Sequence, residues 1–170
     1  MGLVEQGSGG HPFKLIVFNI QKSANTAMLM RTAYAFGCEE LILVGRKKFK
    51  LTGASGTYKP LQIRHFFNMA EAATYCRESG FTIYGLEIGG RSITECVFDH
   101  PAAFVMGNEG RGISDARPHC DHIIAIPQWG GVASLNVAVA GGLVMFEFQR
   151  AQGIPPAEIR GERYVDSYFP

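Results

Sequence analysis

Short apolar runs alternate along this chain with segments of helical periodicity. Lys14-Leu-Ile-Val-Phe18 is rich in strand formers and gives way at Asn19 to polar residues, after which residues 23–36 follow a helical pattern up to a glycine stop at Gly37. Leu41-Ile-Leu-Val44, closed by Gly45, predicts a second buried strand, residues 68–79 a helix stopped by Gly80, and Phe81-Thr-Ile-Tyr-Gly-Leu86 a third strand. Ala103-Phe-Val-Met106 runs into the loop Gly107-Asn-Glu-Gly-Arg-Gly112. Ser114 can cap a short helix, residues 122–126 read as another strand and residues 134–150 as a long helix, with Ser134 as its default N-cap. Strands of four to six residues separated by helices predict an α/β fold with a mainly parallel sheet, whose ligand crevice lies at the carboxyl ends of the strands. The polar loops after Phe18, Met106 and Ile126 fall there.

The two long helices lack a polar face. Leu135, Val137, Val139, Ala140, Leu143, Val144 and Phe146 surround the axis of the last one, and Arg31 is the sole charge between Ala24 and Cys38. A small sheet covers one side of each, so a second subunit is expected over the other, as a two-fold dimer. A membrane span fails as the alternative. Residues 122–146 carry no Asp, Glu, Lys or Arg, but Pro127, Gln128, Gly130, Gly131, Ser134 and Asn136 interrupt them, and a span needs about 20 apolar residues.

The chain has 170 residues, 46% of them hydrophobic and 18% charged, which suits one domain with a real core and excludes a disordered polyelectrolyte. The expected division is a flexible Gly-rich leader over residues 1–12, the domain over 13–150 and a charged, aromatic-ended tail over 151–170. Cys38, Cys76, Cys96 and Cys120 are widely spaced, with no CxxC pair, and read as reduced thiols of a cytoplasmic protein. Near neutrality conceals an asymmetry. Between Leu41 and Ala70 there is no acid, but Arg46, Lys47, Lys48, Lys50, Lys59 and Arg64 stand interleaved with Phe49, Tyr58, His65 and Phe66. That block has the footprint of a nucleic-acid face, with a solvated basic loop as the plain alternative.

Three segments can carry chemistry. Arg31, alone in an uncharged helix, needs an anion or a hydrogen-bonded partner, unless it snorkels at a rim. The loop after Met106 offers Asn108 and Glu109 among three glycines; its GxxGxG spacing is neither a dinucleotide fingerprint nor a P-loop, and a plain strand-to-helix turn is the competing reading. The turn from Ile126 through Gly130-Gly131 to Ser134 and Asn136 could present backbone groups around Ile126 and Leu135 to a small polar ligand. His119-Cys120-Asp121-His122 is a poor metal site, because adjacent ligands do not converge on one ion.

Taken in order, Asn25-Thr-Ala-Met-Leu-Met-Arg-Thr-Ala-Tyr-Ala-Phe-Gly37, Phe104-Val-Met-Gly-Asn-Glu-Gly-Arg-Gly-Ile-Ser114 and Ile126-Pro-Gln-Trp-Gly-Gly-Val-Ala-Ser-Leu-Asn-Val-Ala-Val-Ala140 resemble the three motifs of the SpoU (TrmH-type) RNA 2′-O-ribose methyltransferases of the SPOUT superfamily. The resemblance covers residues 13–150. It implies a deep trefoil knot near the carboxyl end, S-adenosylmethionine held in the knot loops, and a homodimer with a composite active site. By position it assigns Arg31, Glu109, Asn25, Ser134 and Asn136 to the active site, and the segments at Leu86, Gly107, Ile126 and Leu135 to the cofactor. Ala27 stands where the family often has glycine, and Gln128 where methionine is frequent. No separate amino-terminal RNA-binding domain is evident, so recognition is expected from the domain itself, its basic block, its tail or an accessory RNA-binding protein.

The motif wording is closest to the tRNA-modifying members. Ribosomal RNA as substrate, or a catalytically silent RNA-binding or assembly factor, are the alternatives; a dinucleotide oxidoreductase is poor, since no GxGxxG follows the first strand. If the basic block touches single-stranded RNA phosphates, replacing Lys47, Lys48 and Lys50 with Gln weakens RNA binding and flattens the salt dependence of log K by about 0.7 for each phosphate that is no longer neutralised. Filter binding at several salt concentrations measures this, and an unchanged slope returns the block to a solvated loop.

Overall fold

Six strands lie side by side in the order β3-β2-β1-β5-β4-β6, and every neighbouring pair is parallel. The computed structural model describes residues 12–45 and 61–153. In chain order these form β1 (Phe13–Phe18), α1 (Ser23–Ala35), β2 (Glu40–Val44), β3 (Gln62–Phe66), α2 (Met69–Glu78), β4 (Thr82–Ser92), β5 (Ala102–Met106), β6 (His122–Ala125) and α3 (Val137–Ala151), with single 3-10 turns at Ile93–Glu95 and Arg117–His119. Every residue of β1, β2 and β5 is buried, as expected of central parallel strands covered on both faces.

Alternation along each strand divides the core in two. Phe13, Leu15 and Val17 join Leu29 and Met30 of α1 and Val144, Met145 and Phe148 of α3 on one face. Ile16 and Phe18 meet Ile42, Val44 and the Met69, Ala72, Ala73 and Cys76 side of α2 on the other. Phe148 anchors the first layer, with ring centroids 5.2 Å from Phe104, 5.6 Å from Phe98 and 5.8 Å from Phe13. Helices α1 and α3 touch directly, and a Cβ at Gly141 would collide with the Leu29 side chain.

Local signals explain the helix ends. Gly37 and Gly80 follow α1 and α2 with φ of +77° and +81°, the left-handed region open to glycine. Asn68 caps α2 by accepting from the Glu71 amide at 2.9 Å, and Glu71 answers the Asn68 side chain at 2.8 Å. Several expectations need correction. Helix α3 starts at Val137, three residues later than expected, and Asn136 rather than Ser134 caps it, accepting from the amides of Ala138 at 2.9 Å and Val139 at 3.4 Å. The third expected strand extends to Ser92 through a register shift between Leu86 and Arg91, where Gly90 lies too close to the β6 backbone for any side chain. Strand β3 lies inside the basic block, where the apolar pattern predicts no strand. After Ser114 the chain makes turns and the 3-10 turn in place of an α-helix. No helix among the described residues is long and apolar enough to cross a membrane.

Beneath α2, near the amino ends of β1 and β2, sits a buried charge cluster. Lys14 Nζ donates to Glu40 at 2.8 Å and to Tyr75 at 3.1 Å, Tyr75 donates to Glu40 at 2.8 Å, and Arg64 Nε donates to the other Glu40 oxygen at 2.7 Å. Burial alone would push the Glu40 carboxyl up, but these donors outweigh it and hold it below its usual range. Lys14 is shifted the other way: burial lowers it, and the bonds to Glu40 and Tyr75 raise it overall. Glu40→Ala strands the Lys14 ammonium and is expected to cost about 3–5 kcal/mol in urea unfolding. Because the Glu40 value is depressed, its contribution is complete above the ordinary carboxylate value of about 4.3 and is lost as pH falls through the folded value. The gap between wild type and variant should therefore narrow in acid.

Candidate functional site

In a parallel sheet the carboxyl ends of all strands lie on one edge, and the crevice opens where strand order reverses. Here that point lies between β1 and β5, and the loops that follow these strands face each other across it. Asn19, at φ +50°, turns the chain after β1, and its carbonyl accepts from Asn108 Nδ2 at 2.8 Å. Asn108 folds its own loop by accepting from the amides of Gly110 at 2.8 Å and Arg111 at 3.1 Å, while Asn108 and Gly112 exchange backbone bonds of 2.9 and 2.8 Å. Gly107 is required in this loop, since a Cβ there would strike the Gly112 carbonyl. A cleft of about 630 Å³ opens between the two loops, with Asn19, Gln21, Asn108, Arg111, Ser114 and Asp115 on its walls.

Glu109 reaches from the β5 loop to the start of α1. One carboxylate oxygen accepts from the Gln21 amide at 3.0 Å; the other accepts from the Lys22 amide at 3.2 Å and from Asn25 Nδ2 at 2.8 Å. Helix α1 has no acid in its first turn and no side-chain cap of its own, and Glu109 places a carboxylate from a remote loop against the amides that lead into it. Partial burial pushes the Glu109 carboxyl up, but the donors at Gln21, Asn25 and Lys22 outweigh it and the group sits below its usual range. An ionised carboxylate holding three donors is a weak proton acceptor and a strong tether.

The connection continues into the third loop. Asn25 is buried, and its Oδ1 accepts from Asn136 Nδ2 at 3.1 Å, while Asn136 Oδ1 caps α3. Glu109, Asn25 and Asn136 thus form one bonded series from the β5 loop through the first turn of α1 to the cap of α3. Ser134 is exposed and bonds to no other described residue, and the backbone of residues 127–135 is likewise uncommitted among the described residues. Leu86 and Ile126 are half-buried against the core beside it. A segment with free amides and carbonyls flanked by apolar side chains fits a small polar ligand with an apolar ring.

Arg31 lies on the exposed flank of α1, without a hydrogen bond or ion pair to another described residue. The fold does not bring it to Glu109 within the chain. Arg64 is drawn to Glu40, leaving the guanidinium half exposed, whereas Arg46, Lys47, Lys48, Lys50 and Lys59 lie outside the described residues. Asp121, in the sequence considered for a metal, accepts from the Ile83 amide and from Arg77, a structural role. Burial pushes the Cys38 thiol to about 12 and Cys76 and Cys120 to about 11, which keeps them protonated at neutral pH. Sequence reasoning missed Glu87, whose Oε2 accepts from the Ile113 amide at 3.1 Å and holds the β5 loop from β4. Its only signal was an acid next to the apolar Leu86.

The model of the SpoU rRNA Methylase family matches residues 12–146. The 23S rRNA (guanosine-2′-O-)-methyltransferase RlmB of Neisseria meningitidis is 34% identical over 82% of the chain and 58% of its own length. A structure solved for the 2-OH methylation of C/U34 on tRNA is 26% identical, with a TM-score of 0.74 over 84% of this chain and 97% of that one. The SpoU methyltransferase AviRb of Streptomyces viridochromogenes, solved with AdoMet, shares the fold at a TM-score of 0.74 and 21% identity over 89% of this chain and 63% of that one. The chain spans 39%, 58% and 59% of the length of three curated relatives.

Glu109→Ala leaves the Gln21 and Lys22 amides and the Asn25 side chain without their acceptor. Loss of these bonds is expected to cost about 1–3 kcal/mol in thermal unfolding, with the difference from wild type fading as pH falls through the depressed Glu109 value.

Proposed function

Because the chain belongs to the SpoU rRNA Methylase family, we propose that it transfers a methyl group from S-adenosylmethionine to the ribose 2′-hydroxyl of a nucleotide in structured RNA, with tRNA favoured over rRNA. The observation that carries this reading is the bonded series from Glu109 through Asn25 to Asn136, which gathers the three motif segments on the carboxyl edge of the sheet. The motif wording and the neighbour solved for tRNA methylation favour tRNA. The similarity to RlmB keeps rRNA as the second reading.

When bound, S-adenosylmethionine supplies a sulfonium-activated methyl group. The segments at Leu86, Gly107, Ile126 and Leu135 would hold it, with the uncommitted backbone of residues 127–135 contributing polar contacts and Ser134 a hydroxyl. A nucleotide fits the volume of the cleft between the β1 and β5 loops. Arg31 holds the neighbouring phosphate and stabilises the developing alkoxide; a guanidinium stays protonated, so it serves as an electrostatic partner rather than a base. Glu109, Asn25 and Asn136 act by positioning. Holding both reactants in line can contribute roughly 7–11 kcal/mol over a bimolecular encounter.

Two features support a homodimer with a composite site. Val139, Leu143 and Phe146 form an exposed apolar stripe on the outer side of α3, joined on α1 by Met28, one turn before Arg31. A second copy over that stripe covers it and brings one subunit's Arg31 to the other's cofactor loops. The family's motifs also imply a deep trefoil knot near the carboxyl end.

Arg31→Ala is expected to lower methyl incorporation into tRNA by about 100-fold or more, with S-adenosylmethionine affinity by calorimetry nearly unchanged. Unchanged turnover rejects the assignment. Mixing Arg31→Ala with Ser134→Ala protein should restore on the order of a quarter of wild-type activity, through mixed dimers with one intact site. Absence of recovery places Arg31 in its own subunit's site. RNA binding by wild type without methyl incorporation identifies the silent factor.

A further inference from the structure

The sequence contains one tryptophan, Trp129, and its side chain is 92% exposed. A tryptophan on a protein surface is unusual, because the indole offers more apolar area than any other side chain. Its location is specific. Trp129 stands on the loop between β6 and α3, at the carboxyl edge of the sheet, five residues before Ser134 and seven before Asn136. Gly130 and Gly131 follow it, and a Cβ at either would meet nothing within 4 Å, so the loop stands clear of the body and both faces of the ring are open. No described residue forms a ring contact or hydrogen bond with it. Ile126 packed against the core at one end and Asn136 bonded to Asn25 at the other leash the loop to the site.

We infer that Trp129 is a stacking platform for an unpaired base of the RNA substrate, beside the nucleotide that receives the methyl group. The inference rests on the proposed RNA methyltransferase reading. A flat ring with two open faces matches the face of a base, and every base has one, so the contact adds affinity without reading sequence. A side chain meant for a protein partner would be expected to sit among other apolar groups. The exposed stripe of Met28, Val139, Leu143 and Phe146 is such a group, and it lies on the helices; on its own loop Trp129 stands beside Gln128 and two glycines, with Val132 the one other large exposed apolar side chain of that loop. Stacking here would also hold the sugar of a splayed nucleotide near Ser134 and the cleft.

Trp129 as the sole indole makes the test direct. The full-length protein is titrated with unfractionated tRNA while tryptophan emission and filter retention are followed together, with S-adenosylmethionine alone as a separate arm. The expected result is saturable quenching that tracks RNA retention, with the indole shielded from iodide. Trp129→Ala should bind tRNA between about fivefold and a hundredfold more weakly, and Trp129→Phe within about threefold of wild type. Retention of RNA with unchanged emission overturns the inference, as does emission that changes with protein concentration in the absence of RNA, or iodide access that RNA does not reduce below that of the protein with S-adenosylmethionine alone. Methyl incorporation by wild type, measured in the same samples, separates the two failures: activity with silent emission leaves the methyltransferase reading standing and removes only the platform.

Discussion

A single carboxylate ties this fold's functional edge together. Glu109 accepts from residues 84 to 88 positions away in sequence, two backbone amides and one side-chain amide at the start of α1. Without it the Gln21 and Lys22 amides ahead of α1 would lose their acceptor, Asn25 would lose a partner inside a buried position, and the bond from Asn25 to Asn136 would lose its support. Each bond is of ordinary strength. What they achieve together is registry: the loops after β1, β5 and β6 are fixed relative to one another at the crevice where the strand order reverses.

Charge is used differently at the two ends of the sheet. Beneath α2, Lys14, Glu40, Arg64 and Tyr75 satisfy one another, with the Lys14 ammonium and the Arg64 guanidinium also over the Tyr75 ring at 4.5 Å. At the carboxyl edge Ser134 lacks a partner among the described residues, as does Arg31 further along α1, while the Glu109 carboxylate is saturated. Polar groups that complete their own bonds build the scaffold, and those left with open valence are the ones available to a ligand.

Much of the architecture was legible because its causes are local. Buried parallel strands read as continuous apolar runs, and Gly37 and Gly80 end helices because the backbone there needs positive φ. Strand β3 was not legible. Gln62, Arg64 and His65 look like surface residues, and what makes the segment a strand is its pairing with β2, from Glu40 opposite Gln62 to Val44 opposite Phe66. The start of α3 was ambiguous for the same reason. Ser134 and Asn136 are both good caps, and Asn136 is the one in reach of Asn25, 111 residues earlier. The expected site residues rest on a motif resemblance; that Glu109 meets Asn25 and not Arg31 depends on where α1 begins relative to the β5 loop.

Gly141 gives the long helices a property that neither has alone. With no side chain there, α3 settles against Leu29 and against Met106, whose sulfur lies 3.3 Å from where a Cβ would be. The two helices therefore move as one plate, and their outer surface has a shape fixed from within. A methyl group at position 141 would wedge the plate apart while leaving every exposed residue unchanged. The geometry of anything docked on the outside is thus written by an atom that the chain omits.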